Sequence, residues 1–203
     1  MKVLYGSQNF GYAVKGSDKD YMQFVYPTWE DILKNNVISK EVKNGDGSVT
    51  KVKDIRLIPK MIEKGNFNDL QFLYSKEVTN DDEFRWLFEN RDRLVKANKL
   101  SCFRSNKGYI ISCLKSGTRK DMVRALCFSE LINRVLALGE FNLEVKGLSK
   151  YREDESLEIS ADKIKGDLDY FEYIAEKWGK DTEILDELNC FILKLLKSKL
   201  NKG

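Results

Sequence analysis

Histidine is missing from the whole 203-residue chain, and a large share of hydrolytic chemistry goes with it. Ser-His-Asp and Cys-His nucleophilic systems, HExxH metalloprotease helices and imidazole acid–base catalysis are all excluded. Proline is scarce, two residues only, while 42% of the chain is hydrophobic, so an ordinary core can form and wholesale disorder is not expected. Long apolar runs are lacking too. The start, MKVLYGSQNF, has no signal-peptide stretch and no segment approaches a membrane span, so no membrane partner is expected. The four cysteines, Cys102, Cys113, Cys127 and Cys190, are widely spaced, form no CxxC pair and have no histidine to complete a zinc site. They read as reduced thiols in or near the core, which favours a reducing, cytoplasmic setting. Carboxylates, lysines, arginines and bound metal are left to do any chemistry.

The net charge of +3 hides an uneven distribution. Between Lys96 and Arg124 the bases are Lys96, Lys99, Arg104, Lys107, Lys115, Arg119, Lys120 and Arg124, against the single acid Asp121. From Arg152 to Glu187 acids outnumber bases. Two explanations stay open: a polyanion-binding face in mid-chain, or two complementary faces that touch each other.

Periodicity gives a mixed layout. Lys2 to Tyr5 reads as a short strand ending in a Gly6-Ser7 turn, and Asp18 to Tyr26 as a second strand closed by Pro27. Thr28 is placed to cap a helix, and 37–52 reads as a hairpin about Asn44-Gly45-Asp46-Gly47. Asp54 can cap the next helix, which Gly65-Asn66 ends, and an apolar element follows from Leu70 to Tyr74. Asp82 to Asn98 has the spacing of one amphipathic helix. A polar loop then leads to Gly108–Leu114 and a long helix from Arg119 to Leu138, with two more helices over 160–178 and 182–200. The fold class is therefore α+β, a small N-terminal sheet unit (1–78) packed against a helical C-terminal part (79–203).

One segment carries chemistry: GSQNFGYAVKGSDKDY, residues 6–21. A glycine at the end of a strand lets backbone N–H groups approach a phosphate, and Ser7 adds a hydroxyl donor. Asp18 and Asp20 stand two apart in what reads as a strand, so both carboxylates project from one face. Two like charges so close call for a neutralising cation, and magnesium suits carboxylates that leave room for water and phosphates. A phosphate turn beside a metal-binding pair is what phosphoryl or nucleotidyl transfer needs. Each half alone is common in turns and solvated strands; the spacing is what makes the combination informative.

This segment resembles the signature of the DNA polymerase β-like nucleotidyltransferases, in which Gly-Ser is followed about ten residues later by Asp-x-Asp. More narrowly it resembles a predicted nucleotidyltransferase family that includes phage RNA-ligase-associated proteins. DIRLIPKMIEKGNFNDLQFLYS (54–75), Lys107-Gly108-Tyr109 and RKDMVRALCFSELINRVLALGEF (119–141) resemble later elements of that family. The resemblance implies a mixed sheet, with Asp18 and Asp20 holding two Mg2+ (or Mn2+) ions and a third carboxylate on or at the end of a neighbouring strand. Asp54, directly after the strand-like SVTKVK, is the candidate third ligand; capping the following helix is its alternative role. Gly6, Ser7, Ser17, Lys120 and Arg124 are the candidate phosphate-binding residues, with Arg119, Arg56 and Lys60 as weaker ones. Phe10, Tyr12 and Tyr21 flank the site, for base stacking or for core packing. Gln71 stands where the family often has glutamate, and no histidine stands near Asp121.

The function expected is transfer of a nucleoside monophosphate from an NTP to a hydroxyl acceptor, RNA such as tRNA among the candidates. The competing expectation is a non-catalytic nucleotide- or RNA-binding module, or an antitoxin-like partner of another protein.

Overall fold

A computed structural model describes residues 1–79, 82–139 and 141–201. Its N-terminal part is a five-stranded mixed sheet built from β1 (Lys2–Tyr5), β2 (Asp20–Val25), β3 (Ser39–Lys43), β4 (Val49–Asp54) and β5 (Val78–Thr79), in the order β3-β4-β2-β1-β5. β1 runs antiparallel to β2, with Tyr5 opposite Asp20, and antiparallel to β5. β2 runs parallel to β4, with Tyr21 opposite Thr50 and Val25 opposite Asp54. The α+β class, with the sheet at the N-terminal side and helices after it, is as the sequence implies. The last strand straddles the boundary expected at residue 78.

Local chemistry sets the early elements. Gly6 (φ +81) turns the chain out of β1 into the one-turn helix α1 (Ser7–Phe10), which Gly11 closes. Thr28 and Asp31 form a reciprocal capping box on α2 (Trp29–Leu33). The β3–β4 hairpin closes at Asn44, whose amide bonds Ser48 O at 2.8 Å. Asp54 ends β4 and caps the 3-10 turn Ile55–Leu57, and Pro59 sits in the first turn of α3 (Ile58–Lys64), where no backbone donor is needed. α3 stops at Gly65 in the left-handed region, and α4 (Phe67–Leu70) follows. A side chain at Gly65 would place its Cβ 2.7 Å from Cys102 Cα.

Two helical expectations change. The single helix over Asp82–Asn98 is instead a 3-10 turn (Asp82–Phe84) followed by α5 (Arg85–Glu89) and α6 (Arg91–Lys96). The break falls at Asn90 (φ −101, ψ 9), whose backbone N–H and side-chain amide both donate to Trp86 O, at 3.1 and 2.9 Å, and close the last turn of α5. The expected polar loop after Asn98 is the first half of an 18-residue helix, α7 (Lys99–Ser116). Asn98 caps it, and the fully buried Asn106 is satisfied by Phe67 N, Gly65 O and Cys102 O. α8 (Arg119–Asn133) runs into a π-helical turn, Arg134–Leu138. Glu140, within the 119–141 segment, lies outside the described residues. α9 (Ser149–Glu153), α10 (Ala161–Ala175) and α11 (Thr182–Leu200) complete the chain.

One cluster of buried apolar side chains extends from Val3 to Ile192. The sheet face carrying Val3, Met22 and Phe24 packs against the 3-10 segment Gln71–Tyr74, with Phe24 edge-on to Phe72 at 4.9 Å, and Phe67 of α4 lies edge-on to Phe128 of α8 at 5.6 Å within the same core. Cys102, Cys113 and Cys127 are buried and Cys190 is exposed; all four are free thiols. Among the described residues no helix is long and apolar enough to cross a membrane.

Candidate functional site

The helices stop short of one end of that sheet face, where β1 ends and β2 and β4 begin. The gap is a cleft of about 400 Å³, within the roughly 300–1,000 Å³ usual for small-molecule sites. Gly6, Ser7, Asp20, Lys51, Lys120 and Arg124 line it, together with Tyr5, Tyr12, Glu41, Val49, Asn68, Asp69 and Tyr109. Pairing of Tyr5 with Asp20 brings the Gly-Ser turn against the carboxylate. A Cβ added at Gly6 would lie 3.3 Å from Asp20 Oδ2, a tight contact, and the left-handed φ of +81 favours glycine there.

The turn is held from below. Gly6 N–H donates to Gln71 Oε1 at 2.7 Å, while Gln71 Nε2 donates to Asn68 O at 2.9 Å. The fully buried Asn9 donates to Gln71 O and accepts from Lys76 N. Gln71, noted in the sequence as a departure, is thus a buried strut: its amide both donates and accepts, which an ionised glutamate cannot do. The amides of Ser7 and Gln8, at the start of α1, have no intrahelical carbonyl to reach.

Lys120 and Arg124, one turn apart on α8, enter the cleft from the helical side. Arg124 Nη1 bonds Asp121 Oδ1 at 2.8 Å, and its Nε is buried without a hydrogen-bond partner among the described residues. Thr118 caps α8, and the Ser116 hydroxyl, then Thr118 and Arg124, hold the Asp121 carboxyl below its ordinary range. Burial raises the Tyr109 hydroxyl to about 12 and raises Tyr12 as well, so both remain protonated donors at neutral pH.

Lys51 comes from the sheet. Its Nζ lies 3.2 Å from Glu41 and 4.7 Å from the Tyr5 ring centre. Burial works against its charge, but the Tyr5 phenol and the Glu41 carboxylate outweigh it and hold the Lys51 pKa above the usual lysine value. Lys53, two residues on, pairs with Asp69 at 3.1 Å.

Several sequence candidates lie elsewhere. β2 begins at Asp20, so Asp18 is not in a strand; it lies in the preceding loop, exposed, and does not line the cleft. The expectation that both carboxylates share one strand face is corrected accordingly. Ser17 folds that loop, accepting Val14 N on its hydroxyl and Gln8 Nε2 on its carbonyl. Asp54 is the larger correction. Opposite Val25 at the far end of β4, it is five residues from the level of Asp20, about 16 Å along the strand, and on the other face. It is fully buried and gripped by Arg56, whose Nε lies 3.0 Å from both carboxylate oxygens. Arg56 therefore does not serve the cleft either. Arg119 donates to the carbonyls of Tyr151, Asp154 and Leu157 and pins that loop. Phe10 is core, Tyr12 is buried yet lines the cleft, and Tyr21 lies under Lys2 at 4.1 Å.

The rest of the basic stretch is largely used internally. Lys96 bonds Gly139 O, Lys99 is buried over Trp178, and Lys107 pairs with Glu172 of the acidic tail at 2.7 Å. Part of the charge asymmetry is thus the meeting of complementary faces.

These placements bear on how well the described residues suit a metal. Among them no three acid or thiol groups converge as a metal-holding set. The acids that do share the cleft are engaged: Asp20 Oδ1 accepts Val49 N at 2.9 Å, Glu41 faces Lys51, and Asp69 faces Lys53. The residues of β4 on the same face as Asp20 are Val49, level with it, and further along Lys51 and Lys53, with no acid among them. The residues do not fit the two-magnesium arrangement that the resemblance implies.

Comparison of the chain with family models, with curated proteins and with solved structures returns no match. The reading of the cleft therefore stands on its own geometry and on the motif.

Sequence reasoning missed Tyr5, Glu41, Lys51, Asn68, Asp69 and Tyr109 as cleft residues. Lys51 and Lys53 had a signal, two bases at strand spacing in the strand following the motif. Asn68 and Asp69 had none, since only the folding of α4 brings them to the cleft.

Proposed function

We propose that the chain binds a nucleoside triphosphate in the cleft at the open end of the sheet. The observation that carries this reading is the convergence of a glycine-ended strand and first-turn amides with Lys51, Lys120 and Arg124, drawn from both halves of the chain. Backbone donors and fixed cations around one concavity are the chemistry of phosphate recognition. The Tyr5 and Tyr109 rings offer flat, partly buried surfaces to a base. Calorimetric titration with ATP, CTP, GTP and UTP is the test. One-to-one binding of at least one, weakened in Lys120→Gln and Arg124→Gln, is the expected result; no binding by any of the four would refute it.

A second reading, transfer of the nucleoside monophosphate to a hydroxyl acceptor such as RNA, is favoured by the contact between Gly6 and Asp20 that the motif implies. Incubation with each α-labelled NTP, Mg2+ or Mn2+ and total RNA or protein distinguishes the two. Label on an acceptor, lost in Asp20→Asn, establishes transfer. Absence of label with any metal leaves binding as the function.

A further inference from the structure

The acid positions of the motif and the lysines of β4 disagree about what neutralises a phosphate here. The two same-face residues of β4 beyond Val49 are lysines. Lys51 reaches into the cleft next to Asp20, partly sheltered over the Tyr5 ring. Its partner Glu41 sits on the outermost strand with its side chain 63% exposed. An ion pair of that kind is weak, since water solvates the free carboxylate nearly as well. Glu41 can swing outward without disturbing the sheet, and a phosphate offers the ammonium more acceptor oxygens than the carboxylate does.

We propose that Lys51 is the built-in cation of the cleft, taking a phosphate of the bound nucleotide where the motif implies a metal-ligating acid, so that binding requires no divalent ion. Glu41 is the placeholder that keeps the ammonium in position until the phosphate displaces it. The proposal rests on the nucleotide-binding reading above and adds to it the identity of the neutralising charge. On this proposal Asp20, fixed by Val49 N and packed beside the Gly6 turn, ligates nothing.

The test is calorimetric titration of the four NTPs in EDTA and again in excess MgCl2. The nucleotide that binds is expected to bind in both. Lys51→Gln is expected to weaken binding in EDTA by about tenfold or more, the loss of one charge-assisted contact. Glu41→Gln, at an exposed position that leaves the fold intact, is expected to tighten it. Lys51→Asp, which puts a second acid on the cleft face that carries Asp20, is expected to lose binding in EDTA and regain it with Mn2+. Binding by the natural chain only when Mg2+ is present overturns this proposal while leaving nucleotide binding standing. No binding in either buffer overturns the nucleotide reading itself. Thermal melting of each variant separates lost binding from lost fold; should Lys51→Gln fail to fold, an unchanged affinity in Glu41→Gln overturns the placeholder role.

Discussion

Two aspartates mark opposite ends of the same pair of strands, and they have opposite fates. Asp20 opens β2 at the edge of a cleft, one oxygen held by a backbone amide and the other turned to Gly6. Asp54 closes β4 in full burial, with a guanidinium across both oxygens and the Arg56 amide on one of them. Residue type is the same and the strands are neighbours. What differs is the surroundings: Asp20 lies where the helices stop short of one end of the sheet, and Asp54 at the far end of β4, on the other face, buried under Arg56. A carboxylate becomes a site residue where packing ends, and a structural clamp where packing is complete.

The sharpest way to break this contrast is Asp54→Ala. Removing one partner of a buried ion pair strands the other, so a loss of about 3–5 kcal/mol is expected by denaturant unfolding. Nucleotide affinity of the fraction still folded should be unchanged; unchanged stability with lost affinity would return Asp54 to the site. Next in size is Gly6→Ala. Its left-handed backbone and the pressure of the new methyl on Asp20 should cost about 1–2 kcal/mol, with weakened binding measured in the same titration. Asp20→Asn keeps an acceptor for Val49 N, so its stability should stay within about 1 kcal/mol of the natural chain. Binding should persist and any transfer should vanish, which makes it the variant that separates the two functional readings. Asp18→Asn should do least, within about 0.5 kcal/mol and with no change in affinity, as befits an exposed loop residue. A large loss of binding there would mean that the loop closes onto the nucleotide.

The same contrast separates what the sequence alone reveals of the fold and cleft from what it hides. The strand–turn at Gly6, the hairpin at Asn44–Gly47, the caps at Thr28 and Asp54 and the C-terminal helices were legible because each depends on residues close in sequence. The meeting of Gly6 with Asp20 was legible from the spacing of the motif, which sets the turn beside the carboxylate. Asp54 was misjudged as a ligand because the far end of a parallel neighbour cannot be told from its near end by spacing. Lys99–Ser116 escaped because buried Asn106 and a run of small polar residues hide its inner face. Cleft residues Asn68, Asp69 and Tyr109 arrive through tertiary packing alone.

The cleft has no precursor in a shorter stretch of chain. It joins Gly6 to Gln71 across 65 residues and draws Arg124 from the far side of the core. During synthesis, therefore, the Gly6 segment emerges long before Gln71, which braces it, and before Lys120 and Arg124 of α8. A ligand for this cleft recognises only the finished fold, and its presence raises the unfolding midpoint in proportion to the logarithm of its concentration once that exceeds Kd. On the proposed reading a nucleoside triphosphate raises the midpoint in a melting screen, and raises it less in Arg124→Gln.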